Sequence, residues 1–172
     1  PPVNTTAGYQ AVYGALASAA DLVVQSFQDG VPWAQALASS DPKTYPASLQ
    51  ARWKLHKDAM DAATPGHARY LMLNPIATTY DGLALTWATY NNEPLAAPWS
   101  GYAFNHPNVK QAVLNWMIAT VDYFKPTYLA IGVESNILLA KRPALWAGYK
   151  ELNAYLYAEL KKRYPKLWVF PT

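Results

Sequence analysis

Tyr128-Leu129-Ala130-Ile131-Gly132-Val133-Glu134-Ser135-Asn136 carries an apolar, β-forming run straight into a glutamate and an asparagine. Parallel sheets present their chemistry in this way, at the carboxyl ends of buried strands. Three other segments share the design. Residues 22–27 stop at Gln28-Asp29-Gly30, residues 67–73 stop at Asn74-Pro75, and residues 167–170 form a last strand near Thr172.

Helical periodicity fills the intervals. Tyr9, Val12, Tyr13 and Leu16 mark a helix over 6–19. Leu49, Trp53, His56 and Met60 mark another over 46–63, with Pro46 suited to its first turn and Thr64-Pro65-Gly66 as its stop. Pro107 opens a third, whose buried face carries Val109, Val113, Trp116, Met117 and Val121 before Lys125-Pro126. The fourth covers 143–163, with Leu145, Tyr149, Leu152, Leu156 and Leu160 on one side and Tyr164-Pro165 as its end.

The expected fold class is therefore α/β, a single domain over 1–172 with parallel strands joined by right-handed crossovers. Two architectures fit this order. One is a small open four-stranded sheet with helices on its faces. The other is a partial (β/α)8 TIM-type barrel, since a complete barrel needs about 250 residues. A sequence that stops on a strand without a covering helix favours the partial barrel.

Composition narrows the class. Hydrophobic residues make up 52% and charged residues 15% of the 172, which describes a folded chain and not a disordered one. The net charge of +3 is scattered, and its one cluster, Lys161-Lys162-Arg163, falls in the last turn of an expected helix, where cations offset the dipole. No nucleic-acid partner is expected. No run approaches the roughly 20 apolar residues of a membrane span, so no membrane partner is expected either. With no cysteine there is no disulfide framework. The three histidines lie far apart without metal-ligand spacing, so neither metal nor cofactor is expected. Ser26 and Ser135 lack a base nearby in sequence, and there is no P-loop, GxGxxG or GxSxG. Asn4-Thr5-Thr6 fits the glycosylation pattern.

The strand ends collect Gln28, Asp29, Asn74, Glu134 and Asn136 at one rim. Asp29-Gly30 and Asn74-Pro75 also read simply as turns. A carboxylate ending a buried strand must be solvated, paired or poised for proton transfer. For Glu134 the structural alternative is a salt bridge with Lys141 or Arg142. Residues 76–105 form a long segment without a clear period, and loops of that length are usually functional. Trp33, Tyr80, Trp87, Tyr90, Trp99 and Tyr102 supply the rim with aromatic rings. Flat rings stack on the C–H faces of sugars, while amides and carboxylates bind the hydroxyls; packing within the loop is the alternative.

The segment 131–136, preceded by Tyr123-Phe124-Lys125-Pro126-Thr127-Tyr128-Leu129-Ala130, resembles the fourth-strand region of (β/α)8 retaining glycoside hydrolases, in the large clan that includes the endo-β-1,4-galactanases. Asp29-Gly30-Val31-Pro32-Trp33 and Tyr164-Pro165-Lys166-Leu167-Trp168-Val169-Phe170 are similar to galactanase-like proteins of that group. The resemblance implies that Glu134 is the general acid/base and that the four strands are barrel strands two to five. Sugar-binding roles then fall to Gln28, Asp29, Trp33, Asn74, Tyr80, Trp87, Trp99 and Asn136. Two departures stand out. Val133 occupies the place where the clan has Asn, and the nucleophile that ends strand seven has no counterpart before Thr172. The expectation is a glycoside hydrolase-like fragment, inactive alone, whose partners are carbohydrate and the rest of its barrel or another chain covering the open sheet edges. A polymer substrate would place it outside the cell. A non-catalytic carbohydrate-binding or structural protein on the same scaffold, or an unrelated small α/β enzyme, would share most of these features.

Overall fold

The computed structural model describes residues 5–27, 30–89 and 91–172. The expected rim residues Gln28 and Asp29, and Tyr90 of the long loop, lie outside them. Four parallel strands form one sheet, β1 (Leu22–Phe27), β2 (Ala68–Leu73), β3 (Tyr128–Ala130) and β4 (Trp168–Phe170), in the order β1-β2-β3-β4. The helices are α1 (Thr6–Ala19), α2 (Trp33–Ala38), α3 (Ala47–Ala63), α4 (Pro107–Phe124), α5 (Ser135–Lys141) and α6 (Trp146–Arg163).

Strand order in space follows strand order in sequence, with no reversal. Right-handed crossovers then put every connecting helix on the same face of the sheet. The contacts agree. Phe27 of β1 meets Trp53 of α3 and Phe124 of α4 at ring separations of 6.5 and 5.4 Å. Leu71, Leu73, Leu129 and Val169 are buried with them. Trp53 lies at the centre of this layer, also touching the rings of Tyr45 and Tyr123. Alternation along β1 is strict: Val23, Gln25 and Phe27 are buried, whereas Leu22, Val24 and Ser26 are exposed. The helix-free face is therefore open.

Polar ties lock the layer. Gln25 donates to the Tyr13 hydroxyl and to His56 Nδ1 (2.6 Å), joining β1 to α1 and α3. Arg69 of β2 pairs with Asp61 of α3 and donates to the carbonyl of Phe124 (3.2 Å), where α4 ends in the left-handed Lys125. The basic cluster ending α6 is used internally. Lys161 donates to the carbonyls of Pro165 and Leu167 (2.6 and 2.8 Å), and Arg163 pairs with Asp122 of α4 (3.2 Å).

Five boundaries differ from expectation, among them the strands expected from 67 and 167, which start at Ala68 and Trp168. The strand expected over 128–133 is regular only to Ala130, although its pairing continues: Ile131 N–H donates to Phe170 O and Thr172 N–H to Gly132 O, at 3.0 and 2.9 Å. The helix expected from 143 starts at Trp146, because Pro143–Leu145 winds as a 3-10 turn. Pro46 sits just outside α3 as its N-cap. On α1, Tyr9 and Tyr13 are buried, but Val12 faces solvent.

Two predictions follow from this packing. Trp53→Ala should cost about 3–5 kcal/mol in urea unfolding, the range for removing a fully buried large aromatic; a loss below about 1 kcal/mol would contradict the packing. Burial alone would raise the Asp61 carboxyl, but hydrogen bonds from Lys57 and Arg69 outweigh it and hold the group below its ordinary range. A depressed carboxylate stabilises the fold above the unfolded value of about 3.9 and stops doing so as pH falls through its folded value. Asp61→Asn should therefore flatten the acid limb of a stability–pH curve below about pH 4, and an unchanged limb would remove Asp61 as its cause.

Candidate functional site

At the carboxyl ends of the strands the rim is organised by Asn74, the residue after β2. Its side chain is buried, and its Oδ1 accepts from the N–H of Ile76 (3.3 Å) and of Val133 (3.2 Å). The first bond forms the turn into the long loop, as an Asx side chain does. The second reaches across to the exit of β3. One amide oxygen thus fixes the directions of two segments.

Glu134 follows Val133 and has left-handed backbone angles, φ 52° and ψ 42°. Only two other described non-glycine residues have positive φ, Lys125 and Tyr80. Lys125 is an ordinary left-handed helix end. Tyr80, at φ 59°, donates its phenolic hydrogen to Glu134 Oε2. Both members of this pair therefore hold uncommon backbone conformations, which cluster where structure serves a site. The hydrogen bond to the carboxylate is the leading reason that the Tyr80 hydroxyl is pushed above its usual pKa. Lys141 of α5 lies over the Tyr80 ring, 5.3 Å from its centroid. The described ion pairs do not join Glu134 to Lys141 or Arg142, the structural alternative for this carboxylate; its described partner is Tyr80.

Beneath Glu134 the backbone is tightly packed. A Cβ on Gly132 would run into the Tyr149 hydroxyl of α6. The carbonyl of Thr172 accepts from the N–H and hydroxyl of Ser135 at 2.9 and 3.0 Å, tying the end of β4 to the start of α5. Glu134 is thus an exposed side chain on a held backbone.

The loop after β2 folds over this rim as a series of short bridges, Ile76 with Leu83, Thr86 with Glu93 and Val31 with Thr86. Between it and Leu145 lies a cleft of about 610 Å³ lined in part by Thr79, Asp81, Trp99, Ser100 and Tyr102. Tyr80 stands between its wall residues Thr79 and Asp81 in sequence, but neither Tyr80 nor Glu134 lines the cleft itself. Trp99 meets Tyr102 edge to face at 5.6 Å. Rings and hydroxyls on one wall suit a ligand with both apolar and hydroxylated faces.

The structure redistributes the other expected binding residues. Trp33 is fully buried, donates its indole N–H to Ala84 O (3.1 Å) and packs on Trp99 at 5.1 Å. It cannot offer a stacking face and instead supports Trp99. Asn74 is likewise a buried clamp and not a free sugar-binding amide. Trp87 is half-buried beside Phe27, Trp53 and Trp116, facing the core. Asn136 is exposed in the first turn of α5. Tyr80 and Glu134 remain together, and Trp99 stands in the wall of the cleft that Thr79 and Asp81 also line. Sequence reasoning missed the tie between Tyr80 and Glu134, which are 54 positions apart, and the cleft residues Thr79, Asp81 and Ser100. Gly132 next to a strand end was the available signal of close packing.

Among the described residues, no group of three or more His, Cys, Asp or Glu could hold a metal ion. Comparison with protein-family models, with curated proteins and with solved structures gives no match.

Asn74→Ala leaves the N–H groups of Ile76 and Val133 without their acceptor, at about 1–3 kcal/mol each. Urea unfolding should show a loss of about 2–6 kcal/mol, with faster amide exchange at Val133 than in the parent. Exchange at Val133 that stays as slow as before would mean the clamp does not exist. Gly132→Ala should also destabilise, and Tyr149→Phe in the same chain should recover part of the loss in a double-mutant cycle. Strict additivity would place the clash elsewhere.

Proposed function

We propose that this chain is part of a (β/α)8-type domain acting on carbohydrate, with Glu134 as the general acid/base of a retaining glycoside hydrolase. The observation that carries this is the placement of an exposed glutamate after a central parallel strand, held by Tyr80, whose sequence neighbours Thr79 and Asp81 line a cleft with Trp99 and Tyr102. Sequential strand order with helices on one face supports the partial-barrel part of the proposal, since doubly wound sheets reverse their order at a switch point.

In this mechanism Glu134 protonates the leaving oxygen of the glycosidic bond, then removes a proton from water in the second step. Tyr80 donates to the carboxylate and orients it. Trp99 offers a partly exposed ring for a sugar face, and Asp81, Thr79 and Ser100 supply hydroxyl partners along the cleft. A retaining enzyme needs a second carboxylate about 5–5.5 Å away. No second carboxylate among the described residues shares a hydrogen-bond partner with Glu134. We assign the nucleophile to a carboxylate outside the described residues, and propose that the 172-residue chain, as part of a barrel, binds sugars without cleaving them. Secretion belongs to the same proposal, because polysaccharide substrates lie outside cells.

Among the described residues Glu134 has no companion carboxylate bonded through a shared partner, which equally favours a carbohydrate-binding protein that uses the rim without chemistry. Titration with a β-1,4-linked galactotetraose, followed by tryptophan fluorescence and by NMR shifts, tests the shared part. Saturable changes are expected, reduced at least tenfold in affinity by Trp99→Ala and nearly unaffected by Glu134→Gln. No response at 10 mM sugar, or a response indifferent to Trp99→Ala, would refute binding at this cleft. In a longer chain that cleaves the sugar, Glu134→Gln should abolish turnover, and unchanged turnover would remove Glu134 from the mechanism.

A further inference from the structure

At the end of the sheet away from Glu134, the turns that lead into β3 and β4 enclose a second cavity of about 470 Å³. Val121, Pro126, Pro165 and Leu167 give it apolar walls, together with the ring of Tyr164. Both turns are tied down by bonds of their own. Lys161 clamps the second turn through the carbonyls of Pro165 and Leu167. Trp168 N–H donates to the carbonyl of Thr127 at 3.1 Å, which joins one turn to the other. Arg163 donates to the Tyr164 hydroxyl at 3.0 Å and so holds the ring in place. The cavity is therefore preformed, and a ligand entering it pays little to order its walls.

We propose that this cavity binds a small hydrocarbon carboxylate, its body against the prolines and the Tyr164 ring and its carboxylate between Lys125 and Lys166. Charge selects the head group. Asp122 is the one acid on the described lining, and it is already paired with Arg163 at 3.2 Å and with Lys125 at 3.5 Å. Lys166 is exposed and takes part in none of the described ion pairs. Lys125 is 71% exposed, and so open a pair with Asp122 is weak enough to leave its ammonium for a ligand. Lys125, Arg163 and Lys166 against a single carboxylate leave the opening positive, which favours an anion and repels an amine. Lysines suit a carboxylate here because each is a compact charge on a flexible stem. The walls select the body. A sugar finds one hydroxyl side chain on the described lining, that of Tyr164, and Arg163 already donates to it. A hydrocarbon finds aliphatic and aromatic surface on both turns. This site lies at the amino ends of the strands and does not rest on the carbohydrate reading.

Titration of the 172-residue chain with phenylbutyrate, followed by amide NMR shifts, tests this beside the matching alcohol and amine, phenylbutanol and phenylbutylamine. Saturable shifts are expected at Lys125, Thr127, Lys166 and Leu167, with the carboxylate binding at least tenfold more tightly than the alcohol or the amine. Lys125→Glu combined with Lys166→Glu should weaken the carboxylate at least tenfold, whereas Lys43→Glu, at an exposed lysine outside the cavity, should not. Both replaced lysines are exposed, so the double variant should keep the parent far-UV circular dichroism; if it does not, the comparison of acid, alcohol and amine on the parent decides. No saturable shift at 10 mM phenylbutyrate overturns the proposal. So does equal affinity for the three compounds, or a double variant that binds as the parent does. Shifts centred on Thr79, Asp81 and Ser100 would place the ligand in the other cleft, and overturn it too.

Discussion

A single buried carbonyl oxygen sets the geometry of the rim. Asn74 Oδ1 takes the N–H groups of both Ile76 and Val133. The first bond turns the chain into the loop that carries Tyr80 six residues after Asn74, and the second fixes the residue just before Glu134. The meeting of Tyr80 with Glu134 follows from that shared acceptor. Both partners adopt left-handed backbone conformations, which non-glycine residues hold only where the surroundings over-determine them. The surroundings here are the Asn74 clamp on one side and, on the other, the contacts of Ser135 with Thr172 and of Gly132 with Tyr149.

The same sheet explains why the molecule has two unlike sides. Strands laid down in chain order, joined by right-handed crossovers, collect their helices on one face. That face buries Trp53, Phe27, Phe124 and the leucines of β2 and β3 into a close-packed layer. The other face keeps an aromatic and aliphatic surface with no ionised group. Site and open face are therefore linked, since the rim bearing Glu134 is the upper edge of the uncovered surface.

Much of the fold was legible in the sequence because its signals are local. Apolar runs stopped by Asp-Gly, Asn-Pro and the end of the 128–133 segment marked the strands, and helical spacing marked four long helices. The short helices α2 and α5, of six and seven residues, are below the length at which periodicity shows. The site was legible only in part. Glu134 stood out because a carboxylate ended a buried strand. Its partner did not, because Tyr80 is far away in sequence while Lys141 and Arg142 are near and oppositely charged. Trp33 shows the same limit from the other side. Its composition suits a sugar platform as well as a core, and only the fold of α2 beneath Trp99 puts it inside. Asn74 was readable as a turn residue, and its reach to Val133 depends on strand adjacency that spacing alone does not give.

The most direct test is a distance measurement in solution: nuclear Overhauser contacts from the Glu134 γ-methylene in the unmodified chain. The Tyr80 ring protons should give the strongest inter-residue cross-peaks from the loop after β2, with Lys141 contacts to the same ring. Cross-peaks from Glu134 to the Arg142 side chain, with none to Tyr80, would contradict the site described here.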